Sequence, residues 1–209
     1  MWYLAALALA CSYLLGNLNG AVIVSSIYAH DDVRTHGSGN AGLTNFIRTY
    51  GPKIAVYVIL IDVGKAILAC FASGMLLAGY GFYAEGVALG ALGVIIGHAF
   101  PVFLGFKGGK GILSGVTVAC MMDWRIGLLV FGIFLAAYLL TGYVSLGSIL
   151  SAGSFGFLYW WANPNAGIFP ICVALFLSVM VVWMHRTNIV RLLKGQERKT
   201  NLLKKGKSE

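Results

Sequence analysis

Residues 126–185 read IGLLVFGIFLAAYLLTGYVSLGSILSAGSFGFLYWWANPNAGIFPICVALFLSVMVVWMH, sixty positions without an Asp, Glu, Lys or Arg. As α-helix at about 1.5 Å per residue this run would extend roughly 90 Å, three times a hydrocarbon core of about 30 Å. Two breaks divide it, Thr141-Gly142-Tyr143-Val144-Ser145 and Ala162-Asn163-Pro164-Asn165-Ala166-Gly167. The stretch therefore predicts three membrane crossings. The remainder of the chain follows suit. Met1–Ala29 and Gly86–Phe106 lack the same four residue types, Ile54–Tyr83 carries only Asp62 and Lys65, and Gly111–Met122 is apolar but short. The count is seven spans in an all-α integral membrane protein. The opening Met-Trp-Tyr lacks the basic region of a signal peptide, so the first span reads as retained.

Composition agrees. Of 209 residues 59% are hydrophobic and 11% charged, against roughly 25% charged in a soluble domain, and mean hydropathy is +0.83. This excludes a soluble enzyme, a disordered tail and a nucleic-acid-binding module, despite a net charge of +8. One polytopic domain over residues 1–209 is expected, with a basic tail at 186–209. Cys11, Cys70, Cys120 and Cys172 each lie in apolar sequence and read as buried small hydrophobes, without a disulfide or zinc site.

Basic residues orient the spans. The tail carries eight Lys/Arg, loop 30–53 three and 107–110 two, whereas the opposite side holds only Arg125. By the positive-inside rule the tail is cytoplasmic and the N-terminus outside. Keeping Gly111–Met122 as a crossing preserves this segregation. Gly86, Gly90, Gly93 and Gly97 form a small-residue stripe expected to pack helices. Asp62 and Lys65, three apart within a span, can pair, and structural pairing is the preferred reading over catalysis. There is no internal repeat.

Polar residues gather on the cytoplasmic side in four segments. His36-Gly37-Ser38-Gly39-Asn40-Ala41-Gly42-Leu43-Thr44-Asn45-Phe46-Ile47-Arg48 matches G-x-G-x-x-G without the strand a dinucleotide fold needs. Its glycines still let backbone N–H groups approach an anion, and a helix starting near Thr44 would put Thr44, Asn45 and Arg48 together. Gly97-His98 through Phe106-Lys107-Gly108-Gly109-Lys110-Gly111 sets two lysines among glycines at a membrane surface. A phosphate loop explains both residue types, and a charge anchor only one. Tyr143-Val144-Ser145 opens a helix with Ser145 as its N-cap, and His185 and Asn188, three apart, share a face. Together the segments predict an anion pocket open to cytoplasm and lipid.

At these residues the chain resembles, over nearly its whole length, the bacterial acyl-phosphate:glycerol-3-phosphate acyltransferase family. The resemblance implies acyl transfer from acyl phosphate to the 1-hydroxyl of glycerol 3-phosphate, yielding lysophosphatidate and phosphate in the first committed step of phospholipid synthesis. It implies a seven-helix inner-membrane monomer with a cytoplasmic-facing site. Asp31-Asp32 alone is a poor magnesium site, so neither metal nor cofactor is expected. An upstream enzyme would supply the acyl phosphate. By resemblance Ser38, Arg48, Lys107, Ser145, His185 and Asn188 hold the substrates and carry the chemistry, with Gly37, Gly39, Asn40, Thr44, Asn45, His98, Gly108, Gly109 and Lys110 as further substrate contacts.

The H-x4-D pair of soluble-type glycerolipid acyltransferases is absent: Thr35, Ala41, Phe103 and Val190 stand five residues after the four histidines. No inside carboxylate is placed by spacing beside a histidine. An activated anhydride needs positioning and charge stabilisation more than a covalent intermediate. Arg48 and Lys107 are expected to clamp phosphates, the glycine-loop N–H groups to stabilise the oxyanion, and Lys110 mainly to anchor its loop. A transporter of a small phosphorylated anion is the alternative. It calls for matched broken helices and a midplane site, whereas the polar groups here lie at one face. A CDP-alcohol phosphotransferase lacks its multi-aspartate motif.

Overall fold

The computed structural model describes residues 2–200, among which the regular structure is entirely helical. The helices are α1 (Trp2–Gly16), α2 (Gly20–Ala29), α3 (Leu43–Tyr50), α4 (Ala55–Ala78), α5 (Tyr83–Ala99), α6 (Ile112–Met122), α7 (Trp124–Thr141), α8 (Val144–Ala162), α9 (Ile168–Met184) and α10 (Arg186–Leu193), with 3-10 turns at Val33–Thr35 and Val102–Leu104. Lys204, Lys205 and Lys207 of the basic tail lie outside the described residues.

Four stretches are long and apolar enough to cross a membrane: Trp2–Ala29, Ala55–Ala78, Tyr83–Leu104 and Trp124–Thr141. α9 and α10, bent by 55° at their junction, make a fifth if counted as one span. The expected seven is thereby corrected to four or five. The reasons are local. α6 has only 11 residues, about 17 Å of helix, little more than half a hydrocarbon core. α8 has 19 residues, but Ser145, Ser148, Ser151, Ser154, Gly147, Gly153 and Gly156 dilute its apolar character. Without α10, the 17 residues of α9 reach only about 26 Å.

α5 forms the centre, in contact with α1, α4, α6 and α9. Its glycine stripe makes that possible. A Cβ on Gly86 or Gly90 would strike the Ser73 or Ala69 carbonyl of α4, and one on Gly93 or Gly97 would strike Ser12 or the Tyr13 carbonyl of α1. The α4–α5 core is correspondingly built of small side chains, Ala66, Ala69, Cys70, Ala88 and Ala91. Without a hydrophobic drive between lipid-solvated helices, such close backbone approach supplies the van der Waals contact that holds them. The Ser12 and Ser73 hydroxyls add a hydrogen bond of 3.0 Å between α1 and α4.

The outer surface is apolar: Leu140 is 85% exposed and Val179 71%. Cys70 is buried and Cys120 half-buried, but Cys11 and Cys172 lie on this outer face, so burial of all four is corrected to two. At one end of the bundle Trp2, Tyr3, Tyr80, Tyr83, Trp124, Trp160 and Trp161 are exposed, an aromatic girdle of the kind found at a membrane interface. The four polar segments meet at the other end.

Candidate active site

A cavity of about 500 Å³ opens there, lined by residues from all four segments. Ser38, Gly39, Asn40, Thr44, Asn45 and Arg48 come from the first, His98 and Lys110 from the second, Ser145 from the third, and His185 and Asn188 from the fourth. Gly37, Lys107, Gly108 and Gly109 are not among its walls. The side chain of Lys107 is exposed on the loop outside. Lys110 instead points inward and donates to Asn188 Oδ1. Of the two lysines it is Lys110, not Lys107, that lines the cavity.

The glycine-loop N–H groups are also engaged elsewhere. Gly108 N donates to the Ala99 carbonyl at 3.2 Å and Gly109 N to the His98 carbonyl at 3.1 Å. Ser38 N donates to Asn45 Oδ1 at 2.9 Å. The oxyanion role expected of the second loop is corrected accordingly: its glycines let the loop pack onto the end of α5, since a Cβ on Gly108 would strike the His98 carbonyl. Asn45 is likewise a clasp. Its Nδ2 donates to the Val33 and His36 carbonyls, each at 3.0 Å, so the amide is consumed by its own loop. Gly37, at φ +60, passes so close to Asn45 that a side chain would strike Oδ1.

Helix starts supply the positive potential instead. The first turns of α3, α6, α8 and α10 all line the cavity, through Leu43 and Thr44, Ile112 and Leu113, Val144 and Ser145, and Thr187 and Asn188. None of the four has a side-chain cap; the capping positions are Gly42, Gly111, Tyr143 and His185. Ser145 therefore sits in the first turn of α8 rather than at its N-cap. Uncapped N-termini carry unsatisfied N–H groups and partial positive charge, which suits phosphate. Outside the cavity α2 and α7 are capped by Asn19 and Asp123, whereas α4, α5 and α9 also lack a side-chain cap, so it is the convergence of four such starts on one space that sets the cavity apart.

The two buried histidines present opposite faces. His185 Nδ1 lies 2.8 Å from the Val181 carbonyl, which can only accept, so the ring donates there and a neutral Nε2 is left as an acceptor. His98 Nδ1 lies 2.9 Å from Lys65 Nζ. Ser145 Oγ is buried and lacks a hydrogen-bond partner of good geometry, although it lies near enough to Glu197 to favour that carboxylate's charged form. Ile112, Leu113, Val116, Phe131 and Phe134 make the remaining wall apolar, and a narrow crevice between α5, α6, α8 and α9 continues from Ile112 and Val116.

A family model described as glycerol-3-phosphate acyltransferase matches residues 6–195. The chain belongs to that family. Glycerol-3-phosphate acyltransferases of Prochlorococcus marinus (strain MIT 9215) and Clostridioides difficile (strain 630) are 37% and 38% identical to it, over 93% and 90% of this chain and 97% and 91% of theirs. The crystal structure of PlsY (YgiH), an integral membrane glycerol 3-phosphate acyltransferase, in its glycerol 3-phosphate form superposes with a TM-score of 0.84 at 30% identity, covering 95% of this chain and 96% of that one. Its lysophosphatidic acid form gives 0.81 at 29% identity. Membership of an acyltransferase family replaces the transporter alternative.

Three residues of this acyltransferase escaped the sequence reading. Arg34 pairs with Asp32 at 2.7 Å and donates to the Leu104 and Lys107 carbonyls at 3.1 and 3.3 Å, tying the first loop to the second. Arg191 and Glu197 line the cavity and pair at 2.7 Å. A carboxylate thus does share the cavity with His185, and Asp31 pairs with His36 at 2.5 Å away from it, correcting the view that no inside acid lies beside a histidine. Burial would raise the Glu197 carboxyl, but hydrogen bonds from Arg191 and Asn188 outweigh it and keep its pKa below the usual range. Burial pushes the Lys110 ammonium down to about 8, with like-charge repulsion from Arg191 adding to it.

Proposed function

We propose that this glycerol-3-phosphate acyltransferase takes its acyl group from an acyl phosphate and delivers it to the sn-1 hydroxyl of glycerol 3-phosphate. The observation that carries this is a single cavity in which uncapped helix starts and three cations, Arg48, Lys110 and Arg191, meet an apolar wall. A small phosphate head fits the polar part, and the apolar wall of Ile112, Leu113, Val116, Phe131 and Phe134 suits an alkyl chain. Coenzyme A would need a sizeable soluble surface, and the inside loops are short, about 24 residues at 30–53 and four at 107–110.

Arg48, Lys110 and the helix starts hold phosphate, with Ser38, Asn40, Thr44 and Ser145 as hydroxyl and amide contacts, and Lys107 adding charge from outside the wall. His185 Nε2 accepts from a glycerol hydroxyl. The sn-1 oxygen attacks the acyl carbonyl directly, the carbon–oxygen bond to phosphate breaks, inorganic phosphate leaves, and a substrate phosphate oxygen takes the hydroxyl proton. No acyl-enzyme forms, and neither metal nor cofactor is required. The product is lysophosphatidate.

In this reading the chain acts as a monomer, one domain over 1–209, in the bacterial inner membrane. The cavity and tail face the cytoplasm, the N-terminus faces outside, and an acyl-phosphate-forming enzyme works upstream. Purified protein should convert glycerol 3-phosphate to lysophosphatidate with palmitoyl phosphate and make little or none with palmitoyl-CoA. Equal rates with both donors would refute the choice of donor.

A further inference from the structure

The pair expected to be purely structural reaches the cavity. Asp62 and Lys65 on α4 are 2% and 4% exposed and lie 2.7 Å apart. Lys65 Nζ also contacts the Leu18 carbonyl at 2.6 Å, the Gly16 carbonyl at 3.3 Å and His98 Nδ1 at 2.9 Å. Three of these partners, the carboxylate and the two carbonyls, can only accept. At 2.7 Å from the Asp62 carboxylate the nitrogen forms an ion pair and is an ammonium. An ammonium has no lone pair, so its three N–H groups go to the three shortest contacts, Leu18 O, Asp62 Oδ1 and His98 Nδ1, with the 3.3 Å contact to the Gly16 carbonyl sharing one of them, and Nδ1 must then accept. The imidazole is fixed as the neutral tautomer that carries its hydrogen on Nε2.

That second nitrogen is the informative one. His98 is 4% exposed and lines the cavity, yet Nε2 makes no hydrogen bond to another described residue. It lies against the bare Cα of Gly109, where any Cβ would collide with it. A pair needed only for helix packing would be complete with Asp62, the carbonyls of Gly16 and Leu18, and the Gly20 N–H that Asp62 Oδ1 accepts at 3.2 Å. Its further contact goes to a ring whose free donor faces an anion site. Nε2 is not among the buried atoms left without a partner, so its N–H opens to the cavity, where a phosphate oxygen can accept from it.

We propose that Asp62 and Lys65 are positioning residues of the acyl-transfer site, holding His98 in the tautomer whose Nε2–H binds a phosphate oxygen of glycerol 3-phosphate. This rests on the reading of the cavity as that site. It gives the lysine inside the membrane a task that a packing pair lacks: it decides which nitrogen of a ring 33 positions away carries the proton.

A double-mutant cycle tests it. A glutamine amide stands near the place of Nε2 and cannot tautomerise, whereas an asparagine amide stands near Nδ1. His98→Asn should lower kcat/KM for glycerol 3-phosphate by about 10- to 200-fold, and His98→Gln by about tenfold less than that. Lys65→Met should cost about tenfold or more beside His98, mostly in KM, but less than about twofold further in the His98→Gln background. Equal costs of Lys65→Met in both backgrounds, or His98→Asn as active as His98→Gln, would overturn the proposal. If Lys65→Met does not fold, the two His98 variants decide, because both leave the Asp62–Lys65 pair intact. If the wild type makes no product from acyl phosphate, the donor reading fails by itself. The same ranking is then read from calorimetric binding of glycerol 3-phosphate, where weaker binding by His98→Asn than by His98→Gln supports the assignment and equal binding refutes it.

Discussion

The amide nitrogen of Asn188 donates to the carboxylate of Glu197 at 2.9 Å. This contact sets the amide's orientation: with Nδ2 engaged, Oδ1 faces Lys110 and accepts from its ammonium. The second carboxylate oxygen accepts from Arg191 Nε at 2.7 Å. One tail acid therefore braces an amide and a guanidinium directly, and a lysine through the amide.

Glu197→Ala should consequently reduce both stability and turnover. Removing the acid leaves a buried donor on Asn188 and an unpaired guanidinium, together worth about 1–3 kcal/mol. Melting temperature in detergent and specific activity should fall together, and Glu197→Gln, which keeps an acceptor for one of the two, should lie between. Wild-type melting in Glu197→Ala would show the brace to be dispensable.

The two lysines of the second loop should separate. Lys110→Ala removes a charged hydrogen-bonding group from the cavity wall and is expected to cost about 1.5–3 kcal/mol of transition-state stabilisation, about 10- to 200-fold in kcat/KM. Lys107→Ala, outside the wall, should cost less, and chiefly at high ionic strength should its effect vanish. Steady-state kinetics of both at low and high salt will rank them, and a larger loss at Lys107 would place that side chain in the working cavity.

The pH profile follows from Lys110. With its ammonium at about 8, the charged form dominates below that pH and is lost above it. kcat/KM, which reports the free enzyme, should therefore fall as pH rises through about 8. Lys110→Arg keeps its charge throughout and should remove that limb. A limb unchanged in Lys110→Arg would assign it to another group.

Sidedness is open to direct labelling. Ala84 and Lys194 are both exposed, the first at the girdle end and the second just beyond α10. Single cysteines at positions 84 and 194, in a background lacking Cys11, Cys70, Cys120 and Cys172, should react from opposite faces in spheroplasts, with position 194 protected from an impermeant reagent. Equal reactivity would place both positions on one face and show that the short α6 segment does not cross.

Sequence pattern was enough for features written in local spacing. The uncharged run at 126–185, the glycine stripe of α5 and the four polar segments each show in composition and period, and the fold brings the four segments to one cavity as their shared side implied. What stayed hidden depends on chain path. Nothing in Lys107-Gly108-Gly109-Lys110 says which lysine turns inward, because the Gly108 and Gly109 contacts with α5 decide it. Glu197 sits among polar tail residues with no spacing to tie it to His185. Lys65 and Asp62 looked self-sufficient, and the link to His98 spans 33 positions. The lack of Ser, Thr, Asp or Asn at Gly42, Gly111, Tyr143 and His185 was visible, but it gains meaning only once those helix starts share one space.

The four helix starts have a consequence for chemical inhibition. Their partial charges belong to the main chain and are set by its course, so a point mutation that trims a side chain leaves them in place. An inhibitor whose anionic group leaned on Arg48 or Lys110 could be evaded by changing that one codon. One that leaned on the N-termini of α3, α6, α8 and α10 would be harder to evade, since escape would require moving a helix.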